Sequence, residues 1–367
     1  MTIRLYYDKI NFMKRKMSFS KVGIYLITDG KQRFYFTGFA STAGYVLITA
    51  DETVFVVDDR YFYAAKRRLS PKGITVVSGV GFGTLKAYAD KVGTETVGVD
   101  FNKITMADFE YLKEHGFNPV NVGDEIEKLM AVKNDGELSE ISKACAVAEK
   151  SFREAVAGLR VGMSERELAA LIEYRFKMNG ASDKSFDTIV AFGANSAVPH
   201  HETGETRLKD DVPVLMDFGC ICNGYCSDMT RTFYFGIPGR EFVKAYDAVL
   251  SAHVRAYEEI RAGMTGAEAD SVARNVIFEN GYSGYFTHSL GHGIGVNIHE
   301  APWISPKASG ILAEGMVFSI EPGIYINGKF GIRIEDTVVM KNGRPQTFMT
   351  EPKNLCVWAG GKLRKYR

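Results

Sequence analysis

An internal repeat constrains this chain more than any other feature of its sequence. Leu159-Arg160-Val161-Gly162-Met163-Ser164 returns as Ile260-Arg261-Ala262-Gly263-Met264-Thr265, Glu167 as Glu268 and Asn179-Gly180 as Asn280-Gly281, all at one offset of 101 residues. Ser164-Glu165-Arg166-Glu167 is a capping box, in which Ser164 satisfies an orphan amide at a helix start. Asn179-Gly180 is a helix-ending pair. Upstream, Ile141, Cys145, Ala148, Phe152 and Val156 recur at helical spacing from Leu138 onward. Two copies of helix, capped helix and stop, each followed by β-rich sequence, predict an α+β domain with pseudo-two-fold symmetry. Such a domain offers a cleft between its halves.

The first ~126 residues alternate shorter elements. Residues 22–27, 45–49 and 53–57 are β-rich and bounded by turn signals such as Asp29-Gly30 and Asp51-Glu52. Helices are predicted over 58–69 and 106–116, with strands at 75–77 and 96–99. This is a small α/β domain, and the polar segment 130–137 reads as a link. The chain of 367 residues then divides into an N-terminal domain, 1–129, and a second domain, 130–367.

Composition removes several function classes. Lysine plus arginine number 45 against 44 aspartate plus glutamate, so the basic excess expected of a nucleic-acid binder is missing. The basic ends (Arg4, Lys9, Lys14, Arg15, Lys16 and Lys362, Arg364, Lys365, Arg367) read as solvated. No run approaches the roughly 18 apolar residues of a membrane span. The first twenty residues lack the apolar block of a signal peptide. Five cysteines without framework spacing point to reduced thiols in a cytoplasm.

The richest segment runs from Val214 to Thr232. Asn223-Gly224 between two β-rich runs predicts a two-residue hairpin loop. Cys222 then faces Tyr225, Gly219 faces Asp228, and Asp217 and Asp228 become diagonal neighbours on one face. An acidic pair among Leu215, Met216 and Phe218 needs a cation; the bland alternative is that one or both face water. Cys220, Cys222 and Cys226 lack zinc-site spacing and read as small apolar filler. Downstream, His288, His292 and His299 follow one another among glycines, which allow close backbone approach to whatever the imidazole of His292 binds. Glu321 and Glu335 sit singly in β-rich runs, where Glu335 could simply pair with Arg333. A three-residue loop at 327–329 would set Glu321 opposite Glu335; a two-residue loop would not. Four carboxylates and one histidine suit two hard-to-borderline divalent ions such as manganese or cobalt.

Asp217, Asp228, His292, Glu321 and Glu335, within D-F-G, S-D-M-T-R-T, G-H-G-I-G, E-P-G and I-E-D, resemble the dinuclear metallopeptidases of the methionine aminopeptidase/prolidase family, with its pita-bread (creatinase-like) fold. Tyr35-Phe36-Thr37-Gly38-Phe39 resembles the creatinase-type N-terminal domain of Xaa-Pro aminopeptidases and prolidases. The resemblance implies that Asp217 chelates one metal, His292 and Glu321 the other, and that Asp228 and Glu335 bridge both. The ions would be manganese, or cobalt or zinc. It further implies His200 and His299 as catalytic and substrate-binding histidines that orient the substrate or stabilise the oxyanion, His288 as a substrate-site histidine, and Glu321 as catalytic proton shuttle. A hydroxide bridging the metals would attack the peptide carbon. Thr230 and Thr232 could add supporting bonds. His201 reads as a rim residue, His253 and His115 as structural or solvent-facing.

The implied activity is removal of an N-terminal residue preceding proline, with an Xaa-Pro dipeptidase as the alternative. Many relatives place an arginine between the second histidine motif and E-P-G, whereas residues 301–315 here hold only Lys307. That departure favours longer peptides over dipeptides. A metal-free hydrolase or a non-catalytic peptide-binding relative is the competing class. The expected partner is a peptide with proline second, with no membrane or nucleic-acid partner, and relatives of this kind are often homodimers.

Overall fold

The structure, a computed structural model, describes residues 2–17 and 22–366, with side chains from residue 9 onward. The chain divides into two units, Met1–Met130 and Ala131–Arg367.

In the first unit, strands β1 (Ile24–Ile27), β2 (Tyr45–Ile48), β3 (Thr53–Val57), β4 (Thr75–Ser78), β5 (Thr96–Val99) and β6 (Asn118–Asn121) form one sheet in the order β4-β3-β2-β1-β5-β6. The first three make an antiparallel meander, and β4, β5 and β6 join parallel to their neighbours. β1 to β3 are buried along their whole length, hence their unbroken apolar runs. The helices are α1 (Thr2–Met17), α2 (Gly30–Thr37), α3 (Asp59–Leu69), α4 (Gly83–Val92), α5 (Met106–Glu114) and α6 (Gly123–Ala131).

Three expectations need correction here. Asp29-Gly30 is not a turn but a helix start: the Asp29 carboxylate accepts the Gln32 N–H at 2.9 Å and caps α2. Lys9 is not a solvated end residue, because its side chain is buried with its ammonium 3.6 Å from the Tyr35 ring centroid. The Arg4 side chain and Arg367 lie outside the described residues. Finally, 130–137 is mostly helical. α6 runs to Ala131 and α7 (Asp135–Ala157) begins at once, with Asn134 and Glu137 forming a capping box. An Asn three residues before a Glu is a cap signal, and the link shrinks to 132–134.

The second unit contains two similar halves. The first comprises α7, α8 (Glu165–Met178), β7 (Asp183–Lys184), β8 (Ile189–Phe192), β9 (Val212–Phe218), β10 (Cys220–Cys222), β11 (Tyr225–Cys226) and β12 (Met229–Phe235). The second comprises α9 (Arg240–Glu259), α10 (Gly266–Glu279), β13 (Gly291–Gly293), β14 (Glu300–Ile304), β15 (Val317–Ile320), β16 (Gly323–Ile326), β17 (Phe330–Arg333), β18 (Asp336–Lys341) and β19 (Arg344–Thr347). Strands β20 (Cys356–Ala359) and β21 (Lys362–Lys365) extend the first half's sheet, giving β21-β20-β12-β9-β8 beside β14-β13-β15-β18-β19.

The repeat is visible in individual hydrogen bonds. Gly162 donates to the Leu208 carbonyl at 2.9 Å and Leu208 to that of Met163 at 2.8 Å; Gly263 and Leu312 do the same with Leu312 and Met264, both at 2.8 Å. Both predicted capping boxes are present, Ser164 with Glu167 and Thr265 with Glu268. α9 and α10 share a core with β15, β17 and β18 that includes Val249, Ile277, Phe318, Ile332 and Val338. Among the described residues no helix is long and apolar enough to cross a membrane.

Candidate metal centre

Two hairpins place the acidic residues. In β9–β12 Asp217 faces Thr230 and Phe218 faces Met229, and the same register continues to Cys222 opposite Tyr225. Asn223 and Gly224 take φ of 48° and 85°, the left-handed pair of a two-residue turn. Asp228 thus falls opposite Gly219, where an added Cβ would lie 2.0 Å from the Ser227 carbonyl oxygen. In the second hairpin Ile326 faces Phe330 across the three residues 327–329, and Ile320 faces Asp336 on β15–β18. That register brings Glu321 opposite Glu335, as the three-residue loop requires.

His292 sits in the middle of β13. The glycines beside it serve a purpose other than the one read from sequence: a Cβ at 291 would lie 2.0 Å from the Ser319 carbonyl oxygen, and one at 293 would lie 2.1 Å from that of Ala301. They admit neighbouring strands rather than a ligand.

One ligand atom each from Asp228, His292 and Glu335 lie within 4.8 Å of one another. His292 Nε2 is also 3.4 Å from Glu321 Oε1 and 3.5 Å from Asp228 Oδ2. Asp217 Oδ2 receives a 2.7 Å bond from Arg333 Nη2, while its buried Oδ1 has no hydrogen-bond partner among the described residues. Arg333 therefore pairs with Asp217, not with Glu335.

Electrostatics in this cluster are hostile to charge. Burial, then the neighbouring acids Glu335, Asp217 and Glu321, raise the Asp228 pKa well above the usual carboxylate range. Burial together with Glu321 and Asp217 does the same to Glu335, and burial pushes Glu321 up to about 8. Burial lowers His292 to about 4, leaving its imidazole neutral. Crowding buried carboxylates disfavours their charged forms, divalent ions would offset that cost, and a neutral imidazole is the ligating form. The orphaned Asp217 oxygen and the neutral His292 fit such ions.

Supporting bonds fix these groups. Thr230 Oγ1 donates to Glu335 Oε2 at 2.6 Å, and Thr337 Oγ1 donates to the Asp228 carbonyl at 2.8 Å. Ser319 Oγ donates to Glu321 Oε1 at 3.0 Å while accepting the His292 N–H at 3.1 Å. Arg333 also donates to Tyr325 Oη at 2.7 Å and to Thr230 Oγ1 at 3.0 Å. Thr232 holds only the Arg333 backbone. Ser319, Tyr325, Thr337 and the buried Arg231–Asp336 pair, 2.8 Å apart, escaped sequence reasoning. One available signal was a threonine two residues after each of Asp228 and Glu335.

A cavity of about 690 Å³ opens onto the cluster and is lined by His200, His201, His288 and His299 as well as by the five acid and histidine groups. His200 is exposed. His299 lies edge-on to His292 with ring centroids 4.3 Å apart, and burial followed by the nearby His200 lowers its pKa. His288 is bonded through Nε2 to Tyr325 Oη at 2.8 Å, and burial holds its pKa down at about 3. His201, half-buried on the cavity lining, meets the buried Glu165 Oε2 through Nε2 at 2.9 Å. Glu300, next to His299, is held by Lys133 Nζ at 2.7 Å in a buried ion pair. His253 is buried in α9, and His115 stacks on Tyr111 at 3.8 Å. Four of the five cysteine thiols are buried.

Residues 139–342 match metallopeptidase family M24, and residues 10–132 match the creatinase/prolidase N-terminal domain. An Xaa-Pro dipeptidase of Pyrococcus furiosus is 39% identical over 88% of this chain and 92% of its own. The solved Xaa-Pro dipeptidase from Bacillus anthracis superposes with a TM-score of 0.91 at 33% identity, covering 96% of this chain and 100% of that one. The X-Pro aminopeptidase from Thermotoga maritima gives 0.87 at 35% identity, covering 94% and 100%. With its creatinase-type α/β domain followed by a pita-bread domain bearing these acids and histidines, the chain belongs to metallopeptidase family M24.

Proposed function

We propose that this metallopeptidase hydrolyses the bond between an N-terminal residue and a following proline, using a pair of divalent ions. The convergence of Asp228, His292 and Glu335 within 4.8 Å, with Asp217 and Glu321 beside them, carries the reading. Asp217 would hold one ion, His292 and Glu321 the other, with Asp228 and Glu335 shared. When bound, such ions polarise a carbonyl and acidify water.

The chain's own groups supply the rest. Glu321, oriented by Ser319, would take the proton from the attacking water and pass it to the leaving amine. His200 and His299 would donate to the carbonyl oxygen as charge develops there. His288, fixed by Tyr325, would shape the substrate wall. All of these groups belong to the second domain, 130–367. Manganese as the ion, a homodimer and a cytoplasmic setting complete the proposal.

Peptides longer than two residues are the preferred substrates in this reading. Arg333 is the sole lysine or arginine on the described cavity lining, and it is committed to Asp217, Tyr325 and Thr230. A dipeptide carboxylate would find no uncommitted cation there. The dipeptidase alternative draws on the names of both the Pyrococcus furiosus and the Bacillus anthracis relatives. Steady-state rates on matched Xaa-Pro and Xaa-Pro-Yaa peptides decide between them: the tripeptide should be turned over faster, and dipeptide turnover far above it sinks the preference. Metal analysis of protein prepared without chelator should find two ions per chain; an empty site with no peptidase activity would support the binding-protein class.

A further inference from the structure

The repeat breaks at the first residue after each helix cap. Position 165 is glutamate; its mate at the same offset is Gly266. In the second half no side chain fits, because a Cβ at 266 would lie 2.1 Å from the Trp303 carbonyl oxygen and 2.7 Å from Ala308 Cβ. In the first half, Glu165 is fully buried. Its Oε1 accepts from the Phe192 amide and from Asn195 Nδ2, both at 2.8 Å. Its Oε2 accepts from His201 Nε2 at 2.9 Å and from the Gly204 amide at 3.1 Å.

These four donors come from the beginning, middle and end of residues 192–204, and His200 lies between them. A carboxylate taken fully out of water is tolerated when its acceptor sites are filled, and here both oxygens are. All four donors belong to the one segment that presents His200 to the cavity. The same carboxylate fixes the neighbouring ring, His201, with Nε2 protonated. A glutamate serving only its own helix would need none of these partners.

We infer that Glu165 is the positioning residue for His200, fastening the 192–204 segment so that the imidazole is held against the metal-binding cavity. This rests on the role proposed above for His200. The test is a double-mutant cycle of Glu165→Gln and His200→Ala on metal-loaded enzyme, with kcat, KM, metal content and thermal midpoint measured on an Xaa-Pro-Yaa peptide. The amide keeps the size of the side chain but exchanges one acceptor for a donor facing donors. E165Q should lower kcat by about tenfold to a hundredfold with metal content unchanged. In the H200A background it should lower kcat less than about threefold, because the group it positions is gone.

Full additivity of the two losses, loss of metal in E165Q, or a near-normal E165Q rate would each overturn the positioning role. A near-normal rate in H200A alone would overturn the role of His200 instead, so the two failures are distinguishable. Should E165Q fail to fold, Asn195→Ala and His201→Ala each remove one donor, and the same cycle with H200A applies to them.

Discussion

In the second unit the helices α7 and α8 and strands β8, β9 and β12 are built like α9, α10, β13, β15 and β18, yet the two halves divide the work unequally. Their helices bury matching positions: Ile141 and Phe242, Ala144 and Ala245, Ala148 and Val249, Phe152 and His253, Ala155 and Ala256 are all at or near zero exposure. Each half contributes one acid just before a central strand, Asp228 before β12 and Glu335 before β18, with a threonine two residues on. The symmetry ends at function. The second half supplies His292 and Glu321, while the first supplies Asp217 and the loop of His200. Duplication of a scaffold is sustained by backbone hydrogen bonds and apolar packing, which tolerate side-chain exchange at the cleft. Divergence there costs little stability and yields two different walls.

The largest test of that comparison exchanges the paired acids. Asp228→Asn and Glu335→Gln each remove one charge at constant size, and each should lower kcat by about a thousandfold or more with the fold intact. Turnover with metal analysis and circular dichroism checks this; near-normal turnover in either variant would end the idea that the halves contribute equivalent shared ligands.

The threonines should part company. Thr230 reaches the Glu335 carboxylate, whereas Thr337 reaches the Asp228 backbone. Thr230→Val should therefore weaken metal affinity by about tenfold or more. Thr337→Val should leave affinity nearly unchanged and cost about 1 kcal/mol of stability. Equal effects on metal titration would show that the two positions are functionally alike after all.

The smallest expected effect concerns the helix cores. At Phe152 the first half stacks its ring on Phe218 at 5.2 Å; the second half has the fully buried His253. Burial, opposed by Asp336, pushes the His253 pKa down from 6.5 to about 3. The unfolded chain therefore binds a proton more readily than the folded one between those values. Stability is full above pH 6.5 and falls as the pH drops toward 3, by about 1 kcal/mol at pH 5.5. His253→Phe should flatten this slope in urea unfolding series at pH 7.5 and 5.5. A constant offset measures the fit of the larger ring; an unchanged slope would assign the acid sensitivity elsewhere.

Much of the scaffold was legible because its signals are local. The two capping boxes, the Asn-Gly stops and the Asn223-Gly224 turn act within a few residues, and turn length alone sets which acids face each other. Helices beginning at Gly30, Gly83 and Gly123 were missed because a glycine at a helix start looks like a turn. Lys9 was misread because a charged residue looks solvated until its partner is known, and 130–137 because the local Asn134–Glu137 cap signal sits in a polar run that resembles a linker. The partners lie far along the chain, Asp217 being 116 residues from Arg333 and Lys133 being 167 from Glu300.

By itself the sequence determined the repeat, the caps and the spacing of the acids and His292, since each depends on near neighbours in the chain. Tertiary structure alone decided that Arg333 answers Asp217, that Glu165 fastens the His200 segment, and that burial beside other acids raises the pKa values of Asp228, Glu321 and Glu335. Charge interactions in a buried cluster depend on separations of a few ångströms through space and on the absence of water, and neither quantity is written in sequence order.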